Sequence, residues 1–332
     1  MEPEGPSSPA PLPSGPHPTA GPATVRMPRW PGPLLVVGGA LIAVVALGLA
    51  ALVTSGQLEI GEARFIAPMA LGGAILFVIG LVYSAVRQVR VRAYLPPERY
   101  RGPSILILLA LVLVVASVAN APFGEDAAAL LLGSGELTLL GGIVILVSTQ
   151  LALLLVAWLF VGLPRALIGL QSFPGRDPAG ALRAGVGWGV LAWFVSTLAI
   201  AGMAALLDAL GMPPEPQTAE RAIAMLDPFV VVLAVVILAP IAEEVFFRGV
   251  VFNAWLREGG RRWAFLGSSA LFAIIHLSLV SLVPIFLLGL ALAWVYDRTR
   301  SLLAPIAMHA TVNGISVALA LLVRFEIVRL PV

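Results

Sequence analysis

The chain has 332 residues, of which 59% are hydrophobic and only 11% are charged. A soluble domain of average composition has about 45–50% apolar and about 25% charged residues. So few charges cannot cover the surface of a chain of this size, and apolar stretches of about 20 residues recur along it, so the composition excludes a water-soluble globule. We therefore predict a polytopic integral membrane protein that contacts membrane lipid.

The charge and cysteine content exclude further classes of protein. All 20 basic residues are arginine, they are scattered along the chain, and the formal net charge is only +2. This distribution lacks the basic patch of a nucleic-acid-binding protein, so we expect no nucleic-acid partner. The sequence contains no cysteine, which excludes disulfides, thiolate metal sites and cysteine nucleophiles. Any chemistry must then rely on oxygen or imidazole groups.

The first 33 residues contain 11 of the 27 prolines, together with Ser, Gly and Ala. Such a composition buries too little apolar surface to offset the loss of chain entropy on folding. It also lacks the charged start, short apolar run and cleavage site of a secretory signal. We predict a disordered cytoplasmic tail over residues 1–33, in which His17 is solvated.

Nine apolar stretches follow the tail. Lipid offers no partner to an unpaired backbone group, so stretches this apolar must be helical, and we predict an all-α bundle of about eight to nine transmembrane helices. The predicted spans are roughly 34–54, 65–86, 104–120, 137–162, 182–207, 229–256, 263–280, 282–297 and 301–323. In the fifth span, the small-xxx-small pair of Gly185 and Gly189 indicates close helix packing.

The arginines are concentrated in alternate loops between these spans. They lie before the first span and after the second, fourth, sixth and eighth, whereas the loops between carry acidic residues or no charge. The positive-inside rule then predicts a cytoplasmic N-terminus and an external C-terminus, although Arg324 and Arg329 near the C-terminus run against the rule. A lysine-free chain rich in arginine and alanine also suggests a bacterial inner membrane.

Ionisable side chains inside the spans are few and costly, at a few kcal/mol or more each, and are therefore functional candidates. With a rise of about 1.5 Å per residue, the candidates on three different spans lie at similar depths near the middle of the membrane. A purely structural explanation would require several costly groups at one depth by coincidence. The candidates are Glu243, Glu244 and Arg248 on the sixth span, His276 on the seventh, and His309 with the amide Asn313 on the ninth.

Helical spacing separates the roles of these groups. Glu244 and Arg248 are four residues apart and share a helix face, so they can pair, whereas Glu243 points about 100° away. Glu243 is then the candidate general base. His309 and Asn313 are also four residues apart, and together they could donate hydrogen bonds to a developing oxyanion.

Three motifs at these positions resemble those of the CPBP family, the intramembrane proteases that include CAAX prenyl proteases and the bacteriocin-processing Abi proteins. The family pattern is EExxxR, then FxxxH, then HxxxN or HxxxD. It stands here as Glu243 to Arg248, Phe272 to His276 and His309 to Asn313, in order and within 71 residues. The likeness extends over roughly residues 180–325.

The resemblance implies that Glu243 and His276 activate the attacking water, that His309 and Asn313 stabilise the oxyanion, and that Glu244 and Arg248 support the site. It also implies a three-part organisation. This consists of the tail over 1–33, transmembrane helices without a motif over 34–175, and a protease core over 176–332. The expected function is hydrolysis of a peptide bond in a membrane-associated or lipidated substrate, either a peptide or a membrane protein.

The role of a metal stays open at this point. The family is commonly labelled as metalloproteases, and Glu243, His276 and His309 could hold Zn²⁺ while leaving a position for water. A glutamate-activated water with an oxyanion hole needs no ion, however, and no HExxH run exists in the sequence. We favour metal-independent chemistry and keep a divalent metal as the alternative.

Other functions are compatible with a polar intramembrane cluster. A transporter or proton-coupled carrier also uses Glu, His and Asn groups, although the polar groups here are confined to the last third of the chain and no inverted halves are evident. A serine protease would use Ser268 or Ser269 with a histidine, but small hydroxyls are frequent at helix contacts. A non-catalytic immunity or scaffold protein would keep the fold and use the site only for binding.

Overall fold

The computed structural model describes residues 28–55, 65–132, 137–166, 173–212 and 218–328. All regular elements within these ranges are helical, which confirms the predicted all-α bundle. The helices are α1 (Pro31–Thr54), α2 (Ile66–Arg92), α3 (Ile105–Asn120), α4 (Gly124–Leu132), α5 (Leu139–Ala157), α6 (Pro178–Ala209), α7 (Thr218–Met225), α8 (Pro228–Glu258), α9 (Gly260–Ile274), α10 (Leu279–Thr299) and α11 (Leu303–Arg324).

Eight helices among the described residues are long and apolar enough to cross a membrane. The seventh predicted span, over 263–280, is wrong as a full crossing, because α9 has only 15 residues and ends at Ile274. Leu277 adopts a positive φ of 50° in the turn that follows, and the Ser278 hydroxyl accepts the Ser281 N–H to cap α10. An apolar turn of this kind keeps the hydropathy high and hides the helix boundary.

The predicted tail falls mostly outside the described residues, since residues 1–27, with His17, are not among them. Its predicted end at residue 33 is too late, because α1 already begins at Pro31. Proline suits the first turn of a helix, where its missing N–H would have no intrahelical partner. Arg329 of the predicted external C-terminus also lies outside the described ranges.

The helices α1 and α2 form a hairpin held by close backbone contact. A Cβ atom added at Gly73 would lie 2.8 Å from the Ala43 nitrogen, and one at Gly80 would lie 2.6 Å from the Val36 nitrogen. Without a strong hydrophobic driving force between helices in lipid, such small residues allow the van der Waals packing that holds them together.

The packing predicted for Gly185 and Gly189 is confirmed between α6 and α11. A Cβ atom at Gly185 would lie 2.7 Å from the Ala307 Cβ, and one at Gly189 would lie 2.7 Å from the Thr311 Cβ. Helix α8 lies at the centre of this half of the molecule, in contact with α5, α9, α10 and α11. Helix α11, which carries His309, thus packs against both α6 and α8.

The arginine-bearing loops lie together at one end of the bundle. Arg92 at the end of α2 pairs with Glu258 at the end of α8, with 3.1 Å between Nη1 and Oε1. Asp297 near the end of α10 pairs with both Arg261 and Arg300, at 2.7 and 3.0 Å. This clustering agrees with the alternation of charged loops in the sequence, because elements that share a membrane face must meet at the same end.

Candidate active site

The acidic pair lies where helix α8 changes its winding. Glu243 and Glu244 end a short α-helical stretch, Ala239–Glu244, between two π-helical stretches, Val232–Leu238 and Val245–Phe252. Such wide turns disturb the regular backbone bonding and are frequent at functional sites. Pro240 in the middle stretch contributes to the disturbance, since it has no N–H to donate.

Asparagine side chains bond to backbone carbonyls in both π-helical stretches. The Asn313 Nδ2 donates to the Val235 carbonyl at 2.9 Å. The Asn253 Nδ2 donates to the carbonyls of Arg248 and Gly249, and also approaches the Tyr296 hydroxyl at 2.7 Å. Sequence reasoning missed Asn253, whose position near the end of a predicted span gave no signal of its contact to another helix.

Glu244 is the centre of a fully buried polar network. Its Oε1 accepts hydrogen bonds from the Arg248 Nη1 at 2.9 Å and from the His309 Nδ1 at 3.0 Å. The side chains of Glu244 and Arg248 are both 0% exposed. The Arg248 Nη2 also donates to the Gly289 carbonyl at 3.0 Å, so the guanidinium ties α8 to α10. The pairing of Glu244 with Arg248 agrees with their spacing, and the bond to His309 is additional.

Glu243 faces the other nitrogen of the same histidine ring. Its Oε2 lies 4.0 Å from the His309 Nε2, and the Glu243 side chain is 13% exposed. This oxygen is buried and has no hydrogen-bond partner among the described residues. A buried carboxylate oxygen normally has a partner, and a gap slightly too long for a direct bond is one that a water can bridge. The arrangement therefore leaves a position for a polar group between Glu243 and His309.

His276 lies in the turn after α9, and its predicted placement on a membrane helix is wrong because the helix ends at Ile274. Its Nδ1 is 2.7 Å from the Phe272 carbonyl, and since a carbonyl only accepts, Nδ1 must carry the proton. In the neutral ring Nε2 is then the free acceptor. The residue as a whole is exposed.

The buried ring of Phe272 connects the three motifs. It makes edge contacts with the rings of His276 and His309, with centroids 5.0 and 5.7 Å away. The Arg248 guanidinium lies over its face, 4.6 Å from the centroid. Glu243, Glu244, Arg248 and His309 are thus brought together directly, and His276 joins them through Phe272. Asn313 is directed to the neighbouring turn of α8 instead.

The donor geometry does not fit a zinc centre. The bond from Nδ1 to Glu244 leaves the His309 Nε2 available, but Nε2 and the Glu243 Oε2 stand 4.0 Å apart. Two tetrahedral zinc ligands would stand roughly 3.4 Å apart. Nor does any group of three His, Asp or Glu residues in the described part of the chain form a cluster that could hold a metal ion. We therefore derive no step through a metal.

The two serines considered as nucleophiles have structural surroundings. Both are fully buried, and the Ser268 hydroxyl donates to the Ala264 carbonyl of its own helix. Ser269 packs against Gly289 at the contact between α9 and α10, where a Cβ atom on the glycine would lie 3.0 Å from the Ser269 Cβ. These contacts are those of small residues at a helix interface.

Comparison with known proteins adds to this geometry. Residues 225–315 match a family described as "Type II CAAX prenyl endopeptidase Rce1-like". All three motifs, from Glu243 to Asn313, lie inside the matched segment. This segment is of the CPBP family. The match supports a membrane protease at the level of the family, and no solved structure matches the chain.

Curated relatives resemble this chain over part of their length. "Putative membrane peptidase YdiL" of Bacillus subtilis is 34% identical over 85 residues, which cover 26% of this chain and 35% of that protein. "UPF0177 protein YxdF" of Lactococcus lactis is 32% identical over 78 residues, covering 23% and 42%. An "Uncharacterized 24.3 kDa protein" of Escherichia coli is 33% identical over 136 residues, covering 37% and 62%. The chain thus spans from about a third to three fifths of these relatives.

Proposed function

We propose that the protein is an intramembrane endopeptidase that hydrolyses a peptide bond with water activated by Glu243. The observation that carries this proposal is the buried, unpartnered Oε2 of Glu243 facing the His309 Nε2 at 4.0 Å. A water in this gap would contact a carboxylate base and an imidazole at the same time. The family match over 225–315 supports the reaction class.

Each candidate residue has a separate role in the proposed reaction. Glu243 takes a proton from the water as its oxygen attacks the scissile carbonyl carbon, and later passes that proton to the amine leaving group. His309, held by Glu244 through Nδ1, donates from a protonated Nε2 to the oxyanion of the tetrahedral intermediate. His276 presents Nε2 as a second contact for the water, and the remaining N–H of the Asn313 amide is a second oxyanion donor.

The substrate class follows from the position of the site. Glu243 lies in the interior of α8, which is long and apolar enough to cross the membrane. A scissile bond must therefore enter the membrane or lie close to its surface, as in a lipidated peptide or a membrane protein. We place the protein in a bacterial inner membrane with its N-terminus in the cytoplasm, on the basis of its composition and arginine loops.

The proposal is tested by comparing the peptide termini in membranes that contain the wild-type protein or Glu243→Gln. New termini should appear only with the wild type, because the amide cannot accept the proton, and His276→Ala should reduce them as well. The loss of one general base is expected to slow the reaction by about 10²- to 10⁴-fold. Glu258→Gln is the matched control, since it makes the same change at the surface end of the same helix.

Wild-type turnover by Glu243→Gln, in a protein that melts at the same temperature, would contradict the role of Glu243. Treatment with a chelator tests whether the reaction depends on a metal. Because the donor geometry does not fit zinc, treatment of the purified protein with a chelator should leave its rate unchanged. A loss of activity that is restored by Zn²⁺ would require a metal-bound site.

A further inference from the structure

A cavity of about 930 Å³ lies at the arginine-rich end of the bundle, away from the polar network around Glu244. Its walls come from the segment before and at the start of α6 and from the turn between α10 and α11. The residues that line it are Phe173, Pro174, Gly175, Arg176, Asp177, Gly180, Ala181, Thr299 and Arg300. The proposed peptidase reaction uses none of them.

The charge of this cavity is positive on balance. Arg176 is exposed, and the Arg300 side chain is 66% exposed although its Nη2 pairs with Asp297 at 3.0 Å. Asp177 is the one acidic lining residue, and its carboxylate caps α6 by accepting the Gly180 N–H at 2.8 Å. The cavity therefore presents two guanidinium groups beside the N-terminal end of a 32-residue helix. Guanidinium groups bind phosphate oxygens through paired hydrogen bonds.

The turn that presents Arg300 is well defined. Arg300 adopts a left-handed conformation with a φ of 52°, which ends α10, and its guanidinium pairs with Asp297 in the last turn of that helix. The next residue, Ser301, is buried, and its hydroxyl donates to the Pro174 carbonyl on the opposite wall. The two walls are thus joined by a hydrogen bond between Ser301, which follows Arg300, and Pro174, two residues before Arg176.

The location of the cavity indicates which kind of phosphate ligand it would bind. The cavity is lined by the first residues of α6 and the last of α10, two helices long enough to cross the membrane, so it lies at the level of the lipid headgroups. Phe173 on its wall is 56% exposed, and an aromatic ring at this level suits the membrane interface. The volume is far larger than a free phosphate ion needs and matches that of a larger ligand.

We propose that this cavity binds the phosphate headgroup of an anionic phospholipid, with Arg176 and Arg300 as the phosphate ligands. Basic pockets at the ends of transmembrane helices bind lipid headgroups through such groups, and each arginine contributes about fivefold to the affinity. The site is separate from the peptidase chemistry, and its occupancy is measured without any substrate.

Native mass spectrometry of the purified protein with added dioleoylphosphatidylglycerol or dioleoylphosphatidylcholine measures this binding. The wild type should retain the anionic lipid preferentially, and Arg176→Gln with Arg300→Gln should weaken its retention by about 10- to 25-fold. The matched control is Arg262→Gln with Arg298→Gln, which removes two arginines at the same end that do not line the cavity. This control should bind the anionic lipid like the wild type.

An equal loss of lipid retention in both double variants would overturn the proposal. Binding would then depend on the total positive charge of this end and not on the cavity. Arg176→Gln alone, at an exposed loop residue, provides a folded variant if the double variant does not fold, and should lose about fivefold. Inorganic phosphate and glycerol 3-phosphate are tested as competitors. Displacement of the lipid by either at comparable concentration would overturn a lipid site in favour of a soluble phosphate.

Discussion

At the scale of single residues, Glu244 does more than neutralise Arg248. Its Oε1 also accepts the His309 Nδ1–H, which orients the ring and directs Nε2 toward Glu243. The i,i+4 spacing predicts the first contact, because both residues lie on one helix. The second joins α8 to α11, and helical spacing within one chain segment gives no information on it.

Glu244→Gln should destabilise the protein by about 3–5 kcal/mol, because it leaves the buried Arg248 without a counter-charge. The midpoint of thermal unfolding, followed by tryptophan fluorescence in detergent, measures the change. Glu243→Gln serves as the control and should melt close to the wild type, since Glu243 makes no comparable ion pair with Arg248. Equal midpoints for Glu244→Gln and the wild type would contradict the structural role of the buried pair.

Asn313 has two candidate roles, since it is a proposed oxyanion donor and its Nδ2 also bonds to the Val235 carbonyl. As a donor to the oxyanion it would contribute about 10²- to 10³-fold to the rate, whereas the helix contact alone contributes about 0.5–1.5 kcal/mol of stability. We predict the larger loss of rate for Asn313→Ala in a peptide cleavage assay. Ser316→Ala, which removes a hydrogen bond between α11 and Trp193, should keep the wild-type rate. If Asn313→Ala keeps the wild-type rate, Asn313 is not an oxyanion donor and its role is the contact to Val235.

At the scale of elements, close contact between α6 and α11 positions the histidine helix. Gly185 and Gly189 face the turn of α11 that carries Ala307 and Met308, directly before His309. The small-xxx-small pattern predicts a contact but does not name the partner helix. The structure shows that the partner carries a candidate catalytic residue, so packing and function are coupled here.

Gly185→Ala should push α6 away from α11 and destabilise the protein by about 1–3 kcal/mol, with a loss of peptidase activity. Gly187→Ala on the same helix is the matched control, since nothing lies within 4 Å of an added Cβ atom there. It should be neutral or stabilise the helix by up to about 1 kcal/mol. Thermal unfolding and the cleavage rate of both variants distinguish these outcomes, and equal effects would contradict the close contact.

At the scale of the whole molecule, the arginine loops lie at one end of the bundle, where ion pairs with Glu258 and Asp297 connect α2 with α8 and α9 with α10. The positive-inside rule assigns this end to the cytoplasm. The proposed lipid cavity lies at the same end, where anionic headgroups of the cytoplasmic leaflet would meet it. Orientation and lipid binding are therefore linked.

The absence of native cysteine in the sequence allows the orientation to be measured directly. A single cysteine at Glu98→Cys, at the arginine end, should react with a membrane-impermeant maleimide only after spheroplasts are opened. One at Met212→Cys, after the far end of α6, should react in intact spheroplasts, because Met212 is 52% exposed. The reverse pattern would contradict the predicted cytoplasmic N-terminus.

The sequence alone is enough to predict a helical membrane protein and to name its polar candidate residues. Both follow from lipid, which demands apolar surfaces and internally bonded backbones and makes any remaining ionisable group conspicuous. The pairing of Glu244 with Arg248 follows from helical geometry alone. Hydropathy could not locate the end of α9, because the turn from Ile275 to Ser278 is nearly as apolar as the helix before it.

How the candidate residues meet depends on the packing of the helices against one another. This packing placed His309 between the two glutamates, gathered His276, His309 and Arg248 around Phe272, and directed Asn313 to Val235. These contacts depend on how each helix is rotated about its axis, and the π-helical stretches of α8 change that rotation within a single helix. Sequence spacing within one helix does not determine how its face is aligned with the face of another.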